Sequence, residues 1–456
     1  MREFFAFAAL LCATVAALVL IAPQANAAKI EKIVSPGGIE AWLVREPSVP
    51  LLALQFAFRG GANQDPTIKP GVANMVAALL DEGAGELDAA AFQQKMAENA
   101  VEISFSAQRD QFSGSMRVLR ERLDEGVDLM RLALTVPRFE EDPIERIRAQ
   151  VLSGLRRETT SPNEIANRLW WKTAFPRHPY GRPVNGTLES VPLLVAGDFR
   201  DYVTRVFARD RLKIAVVGDI DAATLGPMLD RVFGALPAKG TLTEIPPAEI
   251  EAVGQKIFVA LDVPQAVLSF GGVGIARKDP DFMPAFIVNH ILGGGSFSSR
   301  LYREVREKRG LAYSVYSYLL PLNEAALFMG GTATRADRAN ETLGLIEAEI
   351  RRLAAEGPTE EELATSKSYL RGSYALNFDT STKIAGQLVQ LQLDDLGMDY
   401  PERRGGLLDA VTMSDVRRVA KRLLDGGILA TVVGRPQIDP PMQGGLPLAA
   451  TPKQGG

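Results

Sequence analysis

The chain has 456 residues, of which 46% are hydrophobic and 23% charged, and its net charge is -4. This composition is typical of a globular protein that is long enough for more than one domain and a large buried core. The small net charge, mixed in sign, gives no indication of nucleic acid binding, which depends on a clustered basic surface.

The first residues predict an export signal. A charged start at residues 1–3 precedes an apolar run from Phe4 to Ile21, and Ala25-Asn26-Ala27 has the form of a cleavage site. An uncleaved membrane anchor is the alternative, because the run is long enough to span a bilayer. The Ala-x-Ala sequence favours cleavage, so we expect a mature chain from residue 28 in the periplasm, without stable membrane insertion.

The only cysteine, Cys12, lies inside this predicted signal peptide, residues 1–27. The mature chain therefore has no thiol for a disulfide, a thiolate metal site or a cysteine nucleophile. No later stretch is long and apolar enough to span a membrane.

Hydrophobic periodicity predicts two similar series of elements. In the first half we expect strands at 40–44, 51–58, 101–107, 111–116 and 212–217, and helices at 71–80, 88–99, 119–134, 143–158, 199–207 and 222–233. In the second half we expect strands at 257–261, 266–270, 313–319, 325–332 and 428–433, and helices at 282–292, 335–354, 360–374 and 414–424. Both halves close on similar strands, Lys-Ile-Ala-Val-Val-Gly and Leu-Ala-Thr-Val-Val-Gly. Two copies of roughly 200 residues indicate duplicated domains and not a solenoid, whose repeats are far shorter.

Strands grouped with several long helices in each half predict an α+β fold. We expect two homologous domains, each a largely antiparallel sheet covered by helices, that form a clam-like pair. The predicted domains are 28–238 and 254–437, joined by a linker at 239–253 that contains proline and glycine and has no apolar periodicity. The tail at 438–456 is rich in proline and glycine, and we expect it to be disordered.

One motif stands before the first predicted helix: Gly60-Gly-Ala-Asn-Gln-Asp-Pro-Thr-Ile-Lys-Pro-Gly-Val-Ala73. It resembles the segment that leads into the catalytic helix of the insulinase/pitrilysin zinc peptidases, the inverzincins. In that family a His-x-x-Glu-His sequence follows, in which two imidazoles at i and i+4 share a zinc ion and the glutamate polarises the attacking water. Here the positions read Asn74-Met-Val-Ala77-Ala78. The resemblance therefore implies that the ligand and base positions Asn74, Ala77 and Ala78 are lost.

The family's third metal ligand, a glutamate, is missing as well. The matching segment is Val151-Leu-Ser-Gly-Leu155, and Glu158 is the nearest acid. The chain has two histidines, His178 and His290, which form no His-x-x-x-His pair. We expect both to be structural, and His178, in the sequence His-Pro-Tyr-Gly-Arg-Pro-Val-Asn-Gly-Thr187, to shape a turn that resembles a loop of the family. No zinc or other cofactor is expected in this chain.

The most specific match is Leu292-Gly-Gly-Gly-Ser-Phe-Ser-Ser-Arg-Leu-Tyr-Arg-Glu-Val-Arg-Glu-Lys-Arg-Gly-Leu-Ala-Tyr-Ser-Val315, which resembles the signature of the family's second domain. In active members an arginine, and a tyrosine seven positions later, face the zinc across the cleft. Here these are Arg306 and Tyr313. The tyrosine would donate to the substrate carbonyl or oxyanion, and the arginine would hold the peptide backbone. The alternative is a solvated helix face with i,i+4 ion pairs. We expect Gly293–Gly295 to form a flexible loop at the cleft edge.

The resemblance spans Ile30 to Arg435 and implies a non-catalytic subunit of a periplasmic heteromeric peptidase. Arg306 and Tyr313 would bind peptide for a zinc-bearing homologous partner, and the chain alone would be inactive. A second interpretation is a peptide-binding or assembly scaffold derived from the same family. An active enzyme of another kind is disfavoured, because nothing around either histidine suggests a serine triad.

Overall fold

The computed structural model describes residues 29–435. The predicted signal peptide with Cys12 and the predicted disordered tail at 438–456 lie outside the described residues. Within 29–435, no helix combines the length and hydrophobicity that crossing a bilayer requires.

The first half is built on a six-stranded sheet with the strand order β1-β2-β6-β3-β5-β4. Its strands are β1 (Ile30–Val34), β2 (Glu40–Arg45), β3 (Leu51–Arg59), β4 (Glu102–Ala107), β5 (Gln111–Leu119) and β6 (Leu212–Gly218). Its helices are α1 (Val72–Leu79), α2 (Ala89–Glu98), α3 (Leu123–Thr135), α4 (Glu141–Glu158), α5 (Pro162–Ala174), α6 (Ala196–Val206) and α7 (Ala222–Phe233). Within this sheet β2 and β6 pair in parallel, and the other neighbouring strands are antiparallel.

The second half is built on a five-stranded sheet with the order β7-β11-β8-β10-β9. Its strands are β7 (Lys256–Ala260), β8 (Gln265–Val273), β9 (Ala312–Pro321), β10 (Ala326–Arg335) and β11 (Leu429–Gly434). Its helices are α8 (Phe282–Asn289), α9 (Ala339–Glu356), α10 (Glu360–Gly372), α11 (Ser381–Leu393), α12 (Tyr400–Ala410) and α13 (Met413–Leu424), and two π-helical turns lie at His290–Gly294 and Tyr302–Glu307. The predicted α+β fold, with two largely antiparallel sheets covered by helices, is confirmed.

The two halves exchange one helix each. Helix α5 packs on β8 and β11 of the second sheet, where the Trp170 indole N–H donates to the Leu429 carbonyl at 3.1 Å. Helix α11 packs on β3 and β6 of the first sheet, where the Gln392 amide donates to the Ile214 carbonyl at 2.9 Å. The predicted division into 28–238 and 254–437 stays a prediction, and the exchanged helices cross it.

Each sheet therefore has one face covered by helices of its own half and one face covered in part by a helix of the other half. In the first sheet, Leu54 and Phe56 belong to the large core of that half, whereas Ala57 and Ala215 pack with α11. The alternation of side chains along a strand produces this division. The strands β4 and β9, each at one edge of its sheet, are not among those on which the exchanged helices pack.

Candidate functional site

Helix α1 carries the three positions predicted to be lost ligands and base. It begins after Gly71, whose φ of 103° few other residues tolerate. The Asp65 carboxylate accepts hydrogen bonds from the amides of Gly71 at 2.7 Å and Ala73 at 2.9 Å. Two of the free amides at the start of the helix are thereby satisfied, so Asp65 fixes where α1 begins.

The loop that contains His178 supports the same helix start. Arg182 donates to the Asp65 carbonyl at 2.9 Å, and the Ser190 hydroxyl donates to the Pro70 carbonyl at 2.8 Å. A side chain at Gly71 would meet the Gly186 Cα at 2.9 Å, so two glycines meet where the loop crosses the helix. The resemblance at Pro179–Thr187 thus falls on residues that hold α1 in place.

Asp65 is buried to 4% exposure. Burial raises the pKa of its carboxyl to about 7, although the amides of Ala73 and Gly71 and the charge of Arg182 oppose the shift. The group belongs to the framework of the helix, because its two oxygens already accept from backbone amides.

The outward face of α1 has no metal-binding chemistry. Asn74 and Ala78 are partly exposed, one turn apart, and Ala77 is buried beside them. On α4, a side chain at Gly154 would meet only the Arg157 guanidinium, at 3.8 Å, and the Glu158 carboxylate accepts from Asn185 at 3.1 Å. Within residues 29–435 no three His, Cys, Asp or Glu side chains are placed to share a metal ion. The residues present do not fit the zinc of the catalytic motif.

The two histidines lie apart, and both make structural contacts. His178 Nδ1 accepts from the Tyr180 amide at 3.1 Å and Nε2 donates to the Pro246 carbonyl at 2.9 Å, so His178 shapes the predicted turn and contacts the linker. His290 Nδ1 lies 3.0 Å from the Ser366 hydroxyl, and burial lowers the pKa of its imidazole.

Arg306 lies among aromatic rings. Its guanidinium carbon is 4.7 Å from the Tyr313 ring centroid, 4.8 Å from that of Tyr302 and 5.9 Å from that of Phe297. These distances allow cation–π attraction, which fixes the guanidinium without neutralising its charge. The predicted Arg306–Tyr313 pair is therefore in contact, with Tyr302 and Phe297 as neighbours that the sequence analysis missed.

The other charges of the run around Arg306 are largely paired. Glu304 bonds Lys308 at 2.6 Å and Arg309 at 2.8 Å, and the hydrogen bond from Lys308 is the main cause that holds the pKa of Glu304 at about 2. Arg303 pairs with Glu362 at 3.1 Å. Within the described part of the chain, no carboxylate pairs with Arg306. The solvated ion-paired face that the charge run predicts is present for its neighbours but not for Arg306.

Tyr313 is 83% exposed because of an irregularity in β9. Val315 pairs with Thr332 and Ala312 pairs with Thr334, so Tyr313 and Ser314 together stand opposite one residue of β10. Regular alternation would put Tyr313 on the buried face that Val315 occupies. The bulge turns the phenol outward instead.

Two buried hydroxyl groups hold this bulge. Thr332 Oγ1 donates to the Ser314 carbonyl and Thr334 Oγ1 donates to the Leu311 carbonyl, each at 2.6 Å. They satisfy backbone acceptors on both sides of Tyr313 where the ladder is disrupted. The exposed tyrosine is thus supported from beneath.

The glycine-rich segment before Arg306 differs from the expected flexible loop, because its first two residues, Gly293 and Gly294, lie in the π-helical turn. Gly293 is buried in the π-helical turn, and a side chain there would meet the Ser317 amide nitrogen at 2.7 Å. Glycine is needed because the turn packs directly against β9.

The two parts of the candidate site lie in different cores. Helix α1 contacts β4, α4 and α6 of the first half, whereas Tyr302 and Ala312, which neighbour Arg306 and Tyr313, belong to the core of the second half.

Family models match both halves of the chain: "Insulinase (Peptidase family M16)" over residues 43–188 and "Peptidase M16 inactive domain" over residues 194–370. The chain belongs to the M16 peptidase family. The insulinase/pitrilysin resemblance is confirmed, and the second half matches the domain that the family's model describes as inactive. The chain is an inactive M16 homologue.

Relatives in the M16 family carry contrasting names. The chain is 26% identical over 333 residues to a "Non-peptidase homolog YmxG" of Helicobacter pylori, covering 73% of this chain and 77% of that protein. It is also 26% identical over 424 residues to an uncharacterized zinc protease of Streptomyces coelicolor, covering 91% and 92%.

Solved M16 structures share the fold. A peptidase M16 inactive domain from Pseudomonas fluorescens superposes with a TM-score of 0.84 at 28% identity, covering 91% of this chain and all of that one. A Helicobacter pylori protease superposes with a TM-score of 0.80 at 19% identity, covering 89% and 99%, which concerns the fold alone.

Proposed function

We propose that this chain is the non-catalytic subunit of a periplasmic two-subunit peptidase and that it binds peptide substrate for a zinc-bearing M16 partner. The observation that carries the proposal is the Arg306–Tyr313 pair, an unneutralised guanidinium beside an exposed phenol, in a chain whose own α1 has no metal ligands. The partner would hold the metal, which supplies an activated water when bound.

The two side chains have complementary roles in this proposal. Tyr313 donates a hydrogen bond to the substrate carbonyl oxygen, which gains negative charge as the bond is attacked. Arg306 donates to a neighbouring backbone carbonyl and places the peptide, and its fixed position among the rings lowers the entropy lost on binding. The export signal predicted at residues 1–27 supports the proposed periplasmic location.

The test is peptide hydrolysis by the mature chain alone and after mixing with a zinc-bearing M16 homologue. We expect no cleavage alone and cleavage on mixing. Arg306→Ala with Tyr313→Phe is expected to lower turnover of the mixture about 100-fold or more, because removal of one oxyanion donor alone has an effect of that size. Arg309→Ala with Tyr369→Phe is the matched control and should leave turnover unchanged.

Assembly is measured in parallel by analytical ultracentrifugation. Lost turnover with unchanged assembly supports the substrate-binding role. Unchanged turnover in the double variant would instead favour the scaffold, in which this chain organises the partner without touching the reacting bond. Cleavage by the purified chain alone that a chelator abolishes would contradict both.

A further inference from the structure

The face of the second sheet that bears Tyr313 continues into two more exposed tyrosines. Tyr316 is 51% exposed and Tyr318 is 43% exposed, and both lie on β9. Val315 and Ser317, which flank Tyr316, are buried, so alternation puts the two rings on the opposite face, the one where α5 packs. Helix α5 covers β8 and β11 of this face and leaves these rings accessible.

The two rings lie next to each other and are nearly parallel. Their centroids are 6.3 Å apart and their planes differ by 20°, which is a stacked arrangement. Tyr316 stands opposite Gly331 in the ladder, and a side chain at Gly331 would come within 2.9 Å of the Tyr316 hydroxyl. The ring therefore lies across the sheet, over the glycine, instead of standing away from it.

Tyr318 lies near a charged residue of the first half. Burial raises the pKa of its phenol, and the nearby charge of Arg109 opposes that shift. The Arg109 guanidinium itself lies 3.5 Å from the Trp171 ring centroid. The turn between β4 and β5 thus brings a positive charge, stacked on Trp171, to the neighbourhood of Tyr318.

The spacing along β9 relates this surface to the Arg306–Tyr313 pair. A regular strand rises about 3.3 Å per residue and the bulge shortens the step after Tyr313, so Tyr316 and Tyr318 lie within about 10 and about 16 Å of Tyr313. A peptide extended along β9, with one carbonyl at Tyr313, would bring the side chains three to five residues away over the two rings.

We propose that Tyr316 and Tyr318 select the substrate: they bind an aromatic or large aliphatic side chain of an extended peptide, three to five residues from the bond presented at Tyr313. The proposal rests on the peptide-binding role proposed above. Two stacked rings offer a broad apolar contact to one bulky side chain and little to a small or charged one.

The first measurement needs no partner. Two labelled, unstructured peptides, one with a single phenylalanine and one with alanine at that position, are titrated with the mature chain by fluorescence anisotropy. We expect the phenylalanine peptide to bind about 2- to 10-fold more tightly. Tyr316→Ser should abolish this ratio, Tyr316→Phe should retain it, and Tyr369→Ser, which removes an exposed tyrosine elsewhere, should leave it unchanged.

Equal binding of the two peptides by the unaltered chain, or an equal loss for both peptides in Tyr316→Ser, would overturn the proposal. Arg306→Ala is expected to weaken both peptides alike and keep their ratio. If the ratio of the two binding affinities is kept but the mixture with the zinc-bearing partner shows no turnover, the result would contradict only the proposed role as a peptidase subunit. The selection of the bulky side chain by Tyr316 and Tyr318 would still stand. In an active mixture, moving the phenylalanine along the peptide should raise kcat/KM only three to five residues from the cleaved bond, and an optimum elsewhere would contradict the assignment.

Discussion

Helix α1 in the first half and the Arg306 segment in the second half have kept different parts of a peptidase. Around α1 the support is complete, with Asp65 at the helix start and Arg182 beneath it, but the outward positions Asn74 and Ala78 carry no ligand. In the second half the outward groups, Arg306 and Tyr313, are present together with their support. Buried contacts hold a site in place and a few exposed side chains give it chemistry, so the chemistry can be lost while the framework stays.

The largest expected effect comes from restoring the lost chemistry. Asn74→His, Ala77→Glu and Ala78→His, combined with Gly154→Glu on α4, should take the chain from no bound zinc to about one ion per chain, because the helix that would hold the ligands is still fixed. Metal content after dialysis measures this, and the same variant with Gly154 unchanged is the control. If the variant with all four substitutions folds but binds no zinc, the positions of α1 and α4 no longer suit a metal site either.

Asp65, which fixes the start of α1, should make the stability of the protein depend on pH. Folding raises the pKa of Asp65 from 3.8 to about 7, so the native carboxyl keeps a proton that the unfolded one releases. Stability should therefore fall as the pH rises from about 4 to 7, by about 4 kcal/mol at most. Urea unfolding at several pH values measures the slope, which Asp65→Asn should flatten. An unchanged slope in that variant would assign the dependence to other groups.

Removing a hydroxyl group that holds the bulge at Tyr313 should have a smaller effect on stability. Thr334→Val leaves the Leu311 carbonyl without its hydroxyl donor and should cost about 1 to 3 kcal/mol of stability. Because the bulge is then less well held, turnover of the mixture with a zinc-bearing partner should fall about tenfold, a change equivalent to about 1.4 kcal/mol.

Thr431→Val is the matched control for that variant. Its hydroxyl is also buried and donates to the Ala166 carbonyl at 3.0 Å, far from Tyr313. It should lower stability by a similar amount and leave turnover per folded molecule unchanged. Equal loss of turnover in both variants would mean that the bulge has no special role.

Local sequence patterns predicted most of this fold. The alternation in Val101–Ala107 and Gln111–Met116 predicted the strands β4 and β5, and the helix expected at 222–233 is α7 at the same bounds. The missed helices include α5 and α11, the two that cross between halves. Their short apolar stripes fit the sheet of the other half, and a pattern read within one half does not predict that contact.

The residues of the candidate site were likewise predicted only where a local sequence motif identifies them. Local motifs identified Arg306 and Tyr313, but the exposure of Tyr313 depends on Ala333 of the neighbouring strand, which takes part in the bulge. Phe297 and Tyr302 approach Arg306 through a π-helical turn that sequence periodicity does not predict. The alternation of Tyr316 and Tyr318 around the buried Ser317 was a visible signal, and only the position of α5 shows that this face stays accessible.

The exchange of helices sets an order of events during synthesis. Gln392, which bonds the Ile214 carbonyl in the finished protein, follows it by 178 residues. The first sheet is therefore made long before the helix that covers Trp42, Val44 and Ala215. Contacts so distant in sequence form slowly, and until then an apolar sheet face is open to aggregation. The sheet of the first half is covered only after α11 of the second half has been synthesised. The chain therefore reaches its native state late and as one unit.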